Sequence, residues 1–135
     1  MKKITIIFLS LVLASCSIES DLQIPTQTTA KWSLIEASGG IAGTSTSYER
    51  DQINWTFNEI DGTLIVEHNT AGISEALDPG TYNFSVRNIA NDDFLFIDDF
   101  EYGSITITGS RFSINQNIAS DGSIITDGFE YNFVR

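Results

Sequence analysis

The sequence predicts an all-β protein, an eight-stranded antiparallel up-and-down barrel that follows a signal peptide and a short tether. From Lys31 onward, apolar and polar residues alternate with a period of two, the mark of strands with one buried face. Short turn-forming groups such as Asp61-Gly62, Asp78-Pro79-Gly80, Gly109-Ser110 and Asp121-Gly122 separate the alternating runs. No segment sustains helical spacing. A meander of eight strands leaves two open edges unless it closes on itself, so a barrel is the expected architecture.

Residues 1–15 read as a signal peptide. Lys2 and Lys3 supply a positive start, and Ile4 to Leu13 is an almost unbroken apolar run. That run is too short to cross about 30 Å of hydrocarbon as a helix, but it has the length of a signal-peptide apolar region. It ends in Leu13-Ala14-Ser15-Cys16, which resembles the lipobox of bacterial lipoproteins. The resemblance implies cleavage between Ser15 and Cys16. It also implies a covalent lipid, palmitate-type acyl chains among it, on Cys16 as the first mature residue. An ordinary secretory cut at the same place would leave a lone thiol with no disulfide partner, because Cys16 is the only cysteine. One acyl chain holds a protein only marginally, at about 0.8 kcal/mol per buried CH₂, whereas two or three make release very slow.

Residues 16–29 are rich in Ser, Thr, Gln and acidic residues and contain Pro25. They read as a lipidated terminus and flexible tether, about 40 Å long when extended. Glu19 and Asp21, close behind the lipid site, resemble an acidic export signal of the Bacteroidetes. The implied location is the bacterial outer membrane, with the periplasmic and cell-surface faces both open.

Residues 30–135 are the barrel domain. The clearest alternations set Ile53, Trp55 and Phe57 against Asn54 and Thr56, Tyr82, Phe84 and Val86 against Asn83 and Ser85, and Phe129, Tyr131 and Phe133 against Glu130 and Asn132. With Trp32/Leu34, Leu64/Val66, Ile105/Ile107 and Phe112/Ile114, they give eight strands near 31–37, 51–59, 63–69, 80–88, 93–98, 102–108, 111–116 and 128–134. Phe94 to Ile97 is a continuous apolar run whose inward face the sequence leaves open. Asp61-Gly62 between two alternating runs is a hairpin signal, since both residues tolerate positive φ.

Lys31-Trp32-Ser33-Leu34 followed by Gly39-Gly40-Ile41-Ala42-Gly43 is similar to the small lipocalin-like lipoproteins of the Bacteroidetes. The likeness extends to Trp55 with Phe57, Gly80-Thr81-Tyr82, Tyr102 to Ile107 and the closing Phe133-Val134-Arg135. It implies a lipocalin-like barrel in which a late arginine, here Arg135, packs over the first-strand Trp32. Lipocalins carry Gly two residues before that Trp, and this chain has Ala30.

Removing residues 1–15 of the 135 leaves 120, enough for one domain with a single core. The seven Lys and Arg lose Lys2 and Lys3, leaving five against 18 Asp and Glu, a formal charge of −13. Such a surface repels phosphate backbones, so nucleic acid is not an expected partner. It attracts basic proteins or cations, although acidity also serves solubility alone.

Catalytic chemistry has little footing. His68 is the sole histidine, more often a packing residue than a base or ligand. Neither zinc spacing, a phosphate loop nor a Gly-x-Ser-x-Gly elbow is present. Asp92, Asp93, Asp98, Asp99 and Glu101 are dense, but they lack the spacing of a calcium loop and read as gatekeepers flanking Phe94 to Ile97. No enzyme, cofactor or metal site is expected. Nine inward aromatics fill much of a barrel this size, since each buries about 150–250 Å². What remains is a shallow cleft at the mouth, rimmed by residues 38–47, with Trp32, Trp55, Tyr82 and Tyr131 as candidate ligand-binding residues. Three readings follow: a binding module for a small apolar ligand, an acidic surface protein or inhibitor engaging a basic macromolecule, and a structural envelope lipoprotein.

The lipobox yields a direct expectation. Cys16→Ser removes the sulfur that carries the thioether, so metabolic labelling with a fatty-acid analogue should mark the parent and leave the variant blank. Equal labelling of both would sink the lipoprotein reading.

Overall fold

The computed structural model describes residues 28–74 and 76–135. The signal peptide, Ser15, Cys16 and nearly all of the tether lie outside the described residues. Nine strands form one antiparallel sheet: β1 (Thr29–Gly39), β2 (Thr44–Ser47), β3 (Ile53–Asn58), β4 (Thr63–His68), β5 (Gly80–Ile89), β6 (Asp92–Ile97), β7 (Phe100–Thr108), β8 (Arg111–Asn115) and β9 (Phe129–Val134). Each strand from β3 to β9 pairs with its sequence neighbour, and β1 pairs with both β3 and β9. Eight strands therefore close into a barrel, with β2 as an extra ninth.

All eight strand expectations coincide with observed strands to within two residues. The addition is β2, a third partner for β1. The first half of β1, Thr29 to Ser33, pairs with β3, and its second half, Glu36 to Gly39, pairs with β2 along the same edge. β2 is Thr-Ser-Thr-Ser and carries no apolar residue, so alternation gave no sign of it. Main-chain pairing holds it, helped by Ser45 Oγ donating to Glu36 at 3.1 Å.

The break between β2 and β3 is pinned by a small polar network. Ser33 Oγ donates to Asn54 Oδ1 at 2.8 Å and accepts from the Asp51 amide at 3.2 Å, while Asn54 Nδ2 donates to the Asp51 carbonyl at 3.2 Å. Asn54 is only 1% exposed, although alternation places it on the solvent face. A buried amide is costly unless its hydrogen bonds are made, and here they are.

Two bulges shift the inward parity within single strands. On β1, the pairing with β9 slips between Leu34 and Glu36, so Trp32 and Leu34 point inward and then Ala37 does. On β7, Leu95 faces Gly103 but Phe96 faces Glu101, leaving Tyr102 as the extra residue. Tyr102 and Ile105 can both pack on the core because of that insertion. Gly103 sits at φ 153°, and a Cβ there would meet the Asn115 carbonyl oxygen at 2.7 Å.

The open question over Phe94 to Ile97 has a clear answer. Leu95 and Ile97 join the core, whereas Phe96 takes the other face, under the Arg87 guanidinium at 3.9 Å from its ring centroid. Arg87 in turn pairs with Asp99 at 3.5 Å. The two flanking turns are two-residue hairpins, Ala90-Asn91 and Asp98-Asp99, with positive φ at every one of the four residues.

The registers give the barrel two unlike ends. The β3–β4, β5–β6 and β7–β8 turns and Arg135 share one end with the start of β1. The 40–43, 69–79, 98–99 and 116–128 connections share the other. These are called the Arg135 end and the long-loop end. Rings connect them: Trp32 to Phe112, Phe112 to Phe133, Phe133 to Trp55, Trp55 to Tyr102, Tyr102 to Tyr131 and Tyr131 to Phe129, with centroids 5.1–5.9 Å apart.

Two glycines separate close approach from backbone conformation. Gly109 also has positive φ, 60°, but nothing lies within 4 Å of its missing Cβ. Gly109→Ala should cost about 1–2 kcal/mol for the left-handed backbone alone. Gly103→Ala adds a collision with main chain and should lower the denaturation midpoint considerably further. Equal losses for the two variants would mean that β7 does not need its tight approach to β8.

Candidate functional site

The Arg135 end is not filled. Trp32 and Phe57 stop short of the rim, Ala30 on β1 contributes only a methyl, and Phe84, Val86, Leu95, Ile105, Ile107 and Phe112 complete an apolar wall. The space between them is about 160 Å³ and opens to solvent. Glu59, just beyond β3, and Arg135, just beyond β9, line its mouth.

Arg135 is held in place rather than free. Its guanidinium lies over the Trp32 ring at 4.7 Å from the centroid, and its Nη2 donates to the Gly109 carbonyl at 3.4 Å. Its amide donates to the Ser110 carbonyl at 3.1 Å, and its main-chain oxygen accepts from Arg50 Nη2 at 3.3 Å. The expected placement of a late arginine over the first-strand Trp is thus observed. Arg135 is thereby tied to β8 and to the 48–52 crossing.

The four candidate ligand residues do not surround one space. Trp32 lines the cavity. Trp55, fully buried, and Tyr131, 4% exposed, belong to the ring-packed interior. Tyr82 is turned toward the 69–79 connection, where its hydroxyl donates to the Asp78 carbonyl at 2.8 Å. Glu59 and Arg135 at the mouth were not singled out as ligand residues in the sequence. The signal for the cavity was Ala30, a small residue at an inward position beside bulky ones.

The long-loop end differs in chemistry. Residues 38–47 form the β1–β2 hairpin, and the open groove at this end, about 490 Å³, is lined instead by Tyr102, Gly103, Gln116, Ile118, Ile125 and neighbours. Tyr102 and Tyr131 stack at 5.9 Å and share a hydrogen bond. Burial, with Tyr131 beside it, pushes the Tyr102 phenol well above the usual tyrosine range, so it stays neutral. The 116–128 connection is fastened by Glu101, which accepts from the Ser120 amide at 2.7 Å and from its hydroxyl.

The dense acids are divided between the two ends. Asp92 and Asp93 flank the turn at the Arg135 end, and Asp98, Asp99 and Glu101 lie beyond the other end of β6, about 20 Å away along the strand. Asp93 accepts from Asn88 and Asp98 from the Asn83 amide, so these carboxylates cap hairpins. Among the described residues no group of three His, Cys, Asp or Glu side chains is arranged to hold a metal ion.

Comparison of the chain with family models, with curated proteins and with solved structures gives no match.

The Trp32–Arg135 contact should be measurable as a coupling. Trp32→Ala should cost about 3–5 kcal/mol through loss of a large buried ring. Arg135→Ala should cost less, and a double-mutant cycle in chemical denaturation should return a coupling of about 0.5–2 kcal/mol. Strictly additive losses would show that the guanidinium and the indole do not stabilise each other.

Proposed function

We propose that this chain is a lipid-anchored, extracytoplasmic lipocalin-like barrel, carried on Cys16 at the bacterial outer membrane, that binds a small apolar ligand without transforming it. The observation that supports the binding role is the apolar space at the Arg135 end. Its volume of about 160 Å³ is close to that of cavities that take up a single aromatic ring or a short stretch of alkyl chain, about 150 Å³. The walls are rings and branched chains on strands, so a ligand would meet a largely preformed surface. The anchor reading rests on Leu13 to Cys16, and the lipocalin-like reading on Trp32, Arg135 and barrel closure.

A second reading draws on the formal charge of −13: an acidic surface protein that engages a basic macromolecule by electrostatic steering. The two differ in their response to salt. Screening weakens a charge-steered complex and leaves burial of an apolar ligand nearly unaffected.

Extraction of the native protein followed by mass spectrometry of its small-molecule fraction tests the first reading. A recurrent molecule should accompany the parent and be missing from Ala30→Leu, which fills the cavity. Repeated preparations of the parent without any such molecule would overturn it.

A further inference from the structure

The apolar cavity has a charged mouth, with Glu59 and Arg135 among its lining residues. The five Lys and Arg of residues 28–135 are Lys31, Arg50, Arg87, Arg111 and Arg135. Lys31, Arg50, Arg111 and Arg135 lie at or near the Arg135 end together with Asp51, Glu59, Asp61, Asp92 and Asp93, while Arg87, three residues before the β5–β6 turn, turns its head away toward Asp99. Arg111 is paired with Val134 across β8 and β9, Arg50 donates to the Arg135 main chain, and Lys31 stands next to Trp32 on β1. Among the described residues, ion pairs link Lys31 to Asp51 and Arg87 to Asp99, each at 3.5 Å. Arg50, Arg111 and Arg135 have no side-chain carboxylate at ion-pair distance among those residues, in a chain where acids far outnumber bases. Only one of them, Arg135, lines the cavity. Its guanidinium is fixed by Trp32 and the Gly109 carbonyl, and that single bond leaves most of its five N–H donors available.

We propose that the ligand is an anionic single-chain amphiphile: an alkyl chain in the cavity with a carboxylate or phosphate head on Arg135. This rests on the ligand-binding reading above and names the ligand's class. The chain lies among Trp32, Phe84 and Phe112, while the head takes the free guanidinium edge, in the field of Arg111 and Arg50. A charge-assisted hydrogen bond to a fixed donor is stronger than a neutral one, and its pre-ordered geometry lowers the entropic cost of binding. Glu59 is the one acid among the lining residues and opposes the head's charge. The mouth also opens at the end where β1 begins, thirteen residues after Cys16, so the tether leads from this end. An amphiphile of the membrane that holds the anchor is the nearest source, and a free fatty acid or alkyl phosphate has the same chemistry.

The full chain reconstituted in phosphatidylcholine vesicles, with Trp fluorescence read during titration, supplies the test. The probes are terminally brominated hexanoate, hexanol and hexyltrimethylammonium, whose six carbons match the cavity and whose bromine quenches Trp32 on its wall when the chain enters. Hexanoate should quench saturably at about tenfold lower concentration than hexanol, and the cation should be weakest. Arg135→Gln should bring acid and alcohol together, and Arg135→Lys should keep part of the preference. If Arg135→Gln unfolds, Glu59→Gln carries the test: it should strengthen acid binding about threefold and leave the alcohol unchanged, through loss of one repulsive charge. Equal quenching by acid and alcohol in the parent, or an unchanged acid in Glu59→Gln, overturns the anionic assignment. Absence of saturable quenching by any of the probes removes the ligand-binding reading itself. Preference for the brominated acid added to the vesicles over the same acid added free in solution separates the membrane source from the soluble one.

Discussion

The barrel depends on strand β1. Among the described residues it is the only strand with three partners: β3 along its first half, β2 along its second half on the same edge, and β9 on the other edge. Antiparallel pairing of β1 with β9 satisfies the two edges that an eight-stranded meander would otherwise expose, and exposed edges invite pairing with other chains. The same strand carries Trp32, the first ring of the aromatic series, and Ala30, whose small side chain leaves the cavity open. Closure, core and site therefore share one element. A change in β1 register would move all three at once, since a one-residue slip exchanges inward and outward side chains.

Strict alternation was enough to read most of the barrel from the sequence. Trp55 and Phe57, Phe112 and Ile114, and Tyr131 and Phe133 all lie inside, as their spacing implies. Alternation lost track where backbone geometry overrides it. Ile35 and Tyr102 are bulge residues, and only the pairing partner reveals that the parity has changed. β2 was invisible because four small polar residues carry no hydrophobic pattern, and its pairing is a main-chain matter. Asn54 read as a surface residue because the sequence does not show that the 48–52 crossing folds over it.

The site was partly legible. Trp32 and Arg135 were marked by the resemblance to lipocalin-like proteins, and they meet with the guanidinium over the indole ring. The void beside them was not, because empty space has no residue of its own. It arises where Ala30 faces the larger side chains of β5 to β8, and only the assembled walls disclose its volume. Tyr82 and Tyr131 shared the inward pattern with cavity residues but stand toward the other end. Period-two reasoning gives the radial direction of a side chain and says little about its height along the barrel.

The triple pairing of β1 also has a mechanical meaning. A chain held at its beginning transmits any pull into Thr29, along the axis of β1. The hydrogen bonds to β3 and β9 run across that axis. Load entering this way shears several of them together instead of opening them one after another. Drag on the body of a barrel held in this way would be shared across both neighbours of the first strand, and such a domain would resist being peeled from that end.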